Sequence, residues 1–112
     1  MSSAHILDRL YEVIDRRRAE RPDGSYVVEL QDGGPDAMAA KLREECEEVI
    51  EAARASDADH LAREVADLLF HTWVVMGART VTPERVYAVL EERFGVGGLA
   101  EKAARRERDG GA

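Results

Sequence analysis

Two pairs of carboxylates stand at helical spacing in this chain: Glu45 and Glu48 within Glu44-Glu45-Cys46-Glu47-Glu48, and Glu64 and Asp67 within Glu64-Val65-Ala66-Asp67. Residues three apart share one edge of a helix, and each edge here borders an apolar face. With Glu45 at zero and 100° per residue, Met38, Leu42, Cys46, Val49, Ile50 and Ala53 fill an arc from roughly 20° to 140°, and Glu48 lies at about 300°. Measured from Glu64, residues Leu61, Val65, Leu68, Leu69, Thr72, Val75 and Met76 fill roughly the same arc, with Asp67 at about 300° and His71 at about 340°. Packing these faces together brings four carboxylates to one rim, where they repel unless cations hold them. Oxygen ligands of this hardness suit Mg2+, with Mn2+ as a substitute.

The competing reading is the solvated face of an acidic helix. Asp67 argues against it, because Val65-Ala66 and Leu68-Leu69-Phe70 surround it with apolar neighbours and desolvation demands a partner. Within one turn on its own helix the only basic residue is Arg63, with His71 a neutral candidate one turn on. Three roles stand for His71: metal ligand, outer partner of Asp67, or core-edge histidine. The second is preferred, since i, i+4 spacing lets an imidazole hydrogen-bond the carboxylate and orient it. Lys41, four residues before Glu45, is either a helix ion pair or a phosphate contact beside the metals. Glu47 and Glu51 fall on the solvent side.

The elements that must position these groups read as helices. Ser2 or Ser3 caps a first helix from Ala4 to Glu20, with Ile6, Leu7, Leu10, Val13 and Ile14 on its apolar face. Arg16, Arg17 and Arg18 close it with the cations that a helix C-terminus favours. Pro22-Asp23-Gly24-Ser25 signals a turn, and 26–32 reads as an extended loop in which Val27, Val28 and Leu30 could form a brief strand. Gly33-Gly34-Pro35 opens the first acidic helix, which runs to Ala55. Asp57 or Asp59 caps the second, running to Arg79, and so short a connection sets the two antiparallel. Thr82-Pro83-Glu84 starts a further helix that ends at Phe94 before Gly95. Trp73 and Phe70 project away from the acidic edge and suggest a second packing surface, most simply that of a homodimer.

A chain of 112 residues suggests one domain, drawn here as 1–95 with a short helical or disordered tail over 96–112. Apolar residues make up 45% of the chain but aromatic ones only 5%, a balance that favours an all-α fold. With 23 acidic against 16 basic residues and a net charge of -7, neither nucleic acid nor an anionic membrane is an expected partner. The single cysteine, Cys46, rules out an intrachain disulfide and a cysteine-based zinc site, and reads as a small core residue. No basic start with an apolar signal core, and no apolar run of membrane-spanning length, is present, so a cytoplasmic location is expected.

Taken in order, Pro22-Asp23-Gly24-Ser25-Tyr26, Lys41-Leu42-Arg43-Glu44-Glu45-Cys46-Glu47-Glu48-Val49 and Glu64-Val65-Ala66-Asp67-Leu68-Leu69-Phe70-His71 resemble a known pattern. It is that of the MazG-type all-alpha nucleoside triphosphate pyrophosphohydrolases, and within them of the phosphoribosyl-ATP pyrophosphatases of histidine biosynthesis. The resemblance covers roughly residues 5–94. It implies an antiparallel helical bundle completed by homodimerisation. It also implies Mg2+-dependent hydrolysis of 1-(5-phosphoribosyl)-ATP to 1-(5-phosphoribosyl)-AMP and pyrophosphate. Glu45, Glu48, Glu64 and Asp67 would be metal ligands, and Glu44 an outer acid or a base orienting the attacking water, so that Glu44 and Glu45 are the catalytic candidates. Lys41 would touch phosphate, and Ser25 and Tyr26 would lie by the ribose or phosphoribosyl end. The chain departs from the pattern at Arg43, where relatives carry a small residue, and at Glu29, where a basic residue is common. Two alternatives remain: a housecleaning pyrophosphohydrolase acting on other nucleotides, and a non-catalytic helical dimer serving as an interaction module.

Overall fold

The computed structural model describes residues 5–94 and Arg106, and the expected Ser2 or Ser3 cap and the 96–112 tail lie outside the described residues, Arg106 apart. All elements among the described residues are helices: α1 (Ile6–Glu20), α2 (Tyr26–Asp32), α3 (Gly34–Arg54), α4 (Ala58–Ala78) and α5 (Pro83–Phe94). They divide into two compact units, 1–81 and 82–112.

In the first unit, α4 is the central element, packed on α3 most extensively and also on α1 and α2. Helix α1 starts at Ile6 with His5 at the cap position and no side-chain cap bond, two residues later than expected. Its apolar stripe delivers Ile14 to the core, where that side chain is wholly buried. Arg21 ends the helix in the left-handed region, its N–H returning to the Arg17 carbonyl at 2.8 Å. Arg17 and Arg18 occupy the last turn, as the charge pattern requires.

The stretch 26–32 corrects the expectation of a loop or strand, because it forms α2. Ser25 caps it, its Oγ accepting from the Val28 N–H at 3.4 Å, and Val27 is buried. Gln31 fixes the helix from its far end by donating to the Val74 carbonyl at 3.1 Å. Seven residues are too few to show a helical period, and the Val-Val pair imitates a strand until packing against α3 and α4 decides. Gly34, at φ 88°, lets the chain turn directly into α3.

Helix α4 is capped by Asp57, whose Oδ1 accepts from the N–H groups of Asp59 and His60 at 3.0 and 3.2 Å. At its other end Thr80 sits at φ 55°, with Val81 N–H bonded to Met76 O and Thr80 N–H to Gly77 O, a Schellman closure. Trp73 corrects another expectation. It does not face outward but is 4% exposed, and its indole donates to the Leu7 carbonyl of α1 at 3.0 Å. Gly77 lets α1 come close, since a Cβ there would stand 2.9 Å from Ile14 Cγ2.

The buried face of α3 also differs from the expected one. Met38, Glu45 and Ala52 are its buried residues, spaced seven apart, so the face centres on Glu45 itself. Cys46 is exposed rather than a core residue, and Ile50 is 44% exposed. On α4, Val65 of the matching arc is 39% exposed. The two helices are thus turned so that Glu45 of α3 and His71 of α4 enter the seam, while part of each apolar arc stays uncovered.

In the second unit, α5 begins with Pro83 and Glu84 and carries Arg93 in its last turn, as the cap, proline and acid pattern predicts.

Candidate active site

Glu45 is 5% exposed, a charged side chain set into the face that α3 buries. Its Oε1 lies 3.7 Å from Lys41 Nζ and 4.0 Å from His71 Nδ1, while Oε2 is buried with no hydrogen-bond partner. Burial pushes its carboxyl above the usual range, Glu48 and to a smaller extent Asp67 push the same way, and His71 and Lys41 pull against them. Glu64 is raised as well, by partial burial first and then by Glu48 and Asp67, and it lies within hydrogen-bonding reach of Glu48. The four acids singled out by spacing therefore feel one another across α3 and α4. Among the described residues, however, no three His, Cys, Asp or Glu side chains are gathered closely enough to hold a metal ion as they are oriented.

His71 departs from its expected contact. Its Nδ1 lies 2.8 Å from the backbone carbonyl of Asp67, so the imidazole bonds the main chain of that residue rather than its carboxylate. Its Nε2 lies 3.1 Å from the Tyr26 hydroxyl, and His71 is buried. Tyr26 in turn stacks on Phe70, with centroids 6.0 Å apart and planes 7° from parallel, and both rings meet His71 edge-on. Spacing along one helix could not reveal this contact, because Tyr26 and His71 are 45 residues apart.

Lys41 stands between the acids and the aromatic group. Its ammonium is 4.0 Å from Glu44 Oε1, and it is kept charged above the ordinary lysine range by Tyr26 first, then by Glu44, Glu45 and Glu48, with partial burial opposing them. Glu44 is open to solvent, 65% exposed. Glu47 and Glu51 are exposed, on the side expected of them. Ser25 is buried with its hydroxyl used as the α2 cap, beside a cavity of about 450 Å³ formed by the 21–25 turn with Val28 and Glu29.

Residues 7–94 match the phosphoribosyl-ATP pyrophosphohydrolase family. The chain belongs to that family. A phosphoribosyl-ATP pyrophosphatase of Trichlorobacter lovleyi is 42% identical over 106 residues, covering 95% of this chain and 98% of the relative. One of Parvibaculum lavamentivorans is 46% identical over 107 residues, covering 96% and 98%, and one of Rhodopirellula baltica is 45% identical over 102 residues, covering 88% and 85%. The family match takes in every residue of the acidic cluster together with Ser25, Tyr26, Lys41 and His71, so the site described here lies wholly within the family's domain.

Proposed function

We propose that this member of the phosphoribosyl-ATP pyrophosphohydrolase family hydrolyses 1-(5-phosphoribosyl)-ATP between its α and β phosphates, releasing pyrophosphate in an early step of L-histidine biosynthesis. The observation that carries the reading is Glu45: a buried carboxylate with an unpartnered oxygen, pressed by Glu48 and Asp67, calls for a cation. The four acids offer carboxylate oxygens, hard donors that fit Mg2+ or Mn2+. Glu45, Glu48, Glu64 and Asp67 would hold it after the side chains turn toward it. When bound, such an ion neutralises the polyphosphate and activates water for attack on phosphorus.

The protein's own groups have separable tasks. Lys41, charged and one-third exposed beside Glu45, supplies a contact for a phosphate oxygen that the net charge of -7 cannot. Glu44, solvent-open and next to Lys41, is the acid available to orient the attacking water and take its proton. The cavity beside Ser25 supports placing the phosphoribosyl end there. The uncovered apolar residues Ile50 and Val65 support a homodimer in which a second copy completes the antiparallel bundle. No helix among the described residues is long and apolar enough to cross a membrane, and a cytoplasmic site of action goes with the biosynthetic role.

A substrate panel tests the reading. The protein, with Mg2+, is expected to release pyrophosphate from phosphoribosyl-ATP in preference to dCTP, dUTP and ATP, and to stop when EDTA is added. The reverse order of preference would replace this function with that of a housecleaning pyrophosphohydrolase.

A further inference from the structure

We propose that Tyr26 serves the reaction as a positioning residue, holding His71 in place beside Glu45 of the acidic cluster, rather than as a substrate contact. The inference rests on the reading above that these acids hold a cation. It starts from hydrogen-bond chemistry: a backbone carbonyl can only accept, so the 2.8 Å contact between His71 Nδ1 and Asp67 O puts a proton on Nδ1. In the neutral ring Nε2 is then the acceptor, and the Tyr26 hydroxyl 3.1 Å away is its donor. With each ring nitrogen engaged, a flip of the imidazole would turn ring carbons toward both partners.

The same Nδ1 stands 4.0 Å from Glu45 Oε1, beyond a hydrogen bond but close enough for the ring edge to lie against the buried acid of α3. One imidazole is therefore bonded to the main chain of α4, set beside that acid, and held from α2 by Tyr26. The lock is stiff because Tyr26 is itself stacked on Phe70, while Phe70 meets the imidazole edge-on at 5.1 Å and 87°. His71 is only 8% exposed, so water does not readily replace a lost partner on Nε2. Removing the hydroxyl leaves Nε2 without its donor while Nδ1 stays bonded to Asp67 O, and the imidazole loses the contact that holds its far edge in place beside Glu45. The hydroxyl is thus already engaged, although the residue as a whole is 43% exposed.

Tyr26→Phe tests this, since it keeps the ring on Phe70 and deletes only the donor. Losing an outer partner of a metal ligand costs about 10- to 100-fold in affinity or activity. The expected result is a kcat lower by about that factor, a KM for phosphoribosyl-ATP within about twofold of wild type, and Mn2+ binding to the nucleotide-free protein, followed by electron paramagnetic resonance, weakened by about tenfold or more. In the metal-free protein, imidazole nitrogen shifts should show His71 as the Nδ1–H tautomer in both proteins, with Nε2 accepting a hydrogen bond in wild type and not in the variant. A raised KM with unchanged Mn2+ binding and an unchanged Nε2 shift would overturn the proposal and return Tyr26 to the substrate. Glu48→Gln, measured alongside, separates the two failures. If it loses Mn2+ while Tyr26→Phe keeps it, only the positioning role is wrong. If Glu48→Gln also keeps it, the metal reading falls and the proposal with it.

Discussion

Replacing Glu45 by Gln should make the metal-free protein more stable while removing its activity. In wild type the carboxylate is 5% exposed, Oε2 has no partner, and burial with repulsion from Glu48 and Asp67 outweighs the pull of His71 and Lys41. Leaving a buried polar group unsatisfied costs about 1–3 kcal/mol, and a charged one more. The amide keeps the shape and part of the desolvation cost but none of the repulsion, and it gives up the attraction of Lys41, a side chain 33% exposed. A net gain of about 1 kcal/mol is expected, a rise in Tm of roughly 4 °C for a chain of this size. The gain depends on pH in a defined direction. Because the folded-state pKa of Glu45 is raised above 4.5, the folded protein binds that proton more tightly than the unfolded chain does. Its contribution to stability is therefore full below the unfolded value and is lost as pH rises through the folded one. The gap between variant and wild type should be widest near about pH 8 and narrow toward about pH 5. Thermal unfolding followed by circular dichroism, in EDTA and at one protein concentration, measures it. With Mg2+ at about a hundredfold excess over its Kd the order should reverse, since binding adds about 2.7 kcal/mol to wild type alone. A variant that melts below wild type in EDTA at both pH values would refute the reasoning.

Two further substitutions probe the site and the scaffold separately. Glu48→Gln or Asp67→Asn, both at exposed positions, should reduce pyrophosphate release by about a hundredfold or more while leaving the helical dichroism unchanged; near-wild-type turnover would sink their assignment as ligands. Gly77→Ala should destabilise the chain by about 1 kcal/mol, because overpacking costs about 1–3 kcal/mol and outweighs the helix propensity gained. The new Cβ would meet the fully buried Ile14 at 2.9 Å, so a raised Tm would show that α1 can shift away.

Much of the architecture was legible because its signals are local. Asp57 caps α4, Pro35 stands in the first turn of α3, and Pro83 with Glu84 opens α5, each as the residue types require. Where the reading failed, the deciding contacts are distant in sequence. Tyr26–Asp32 has too few residues to reveal its period, and its helix is secured by Gln31 bonding Val74, 43 residues away. Trp73 lies inside because α1 covers a second side of α4 through Leu7 and Ile14, a side that packing on α3 alone would leave open. The Ser25 cap could have been found, since a serine ahead of a short segment with Glu29 in its first turn is an N-terminal signature.

The sequence by itself determined that Glu45, Glu48, Glu64 and Asp67 lie at i, i+3 spacing on two helices joined by a short linker, because helical geometry fixes the angle between residues on one axis. Tertiary structure decided how far each helix turns about that axis. With α1 and α2 claiming part of the surface of α4, and α2 lying against α3, the seam takes in Glu45 and His71 and leaves Cys46, Ile50 and Val65 outside. That rotation makes one acid of the four a buried carboxylate with one oxygen unpartnered. It also brings Tyr26 onto His71, a contact that no periodicity along a single helix encodes.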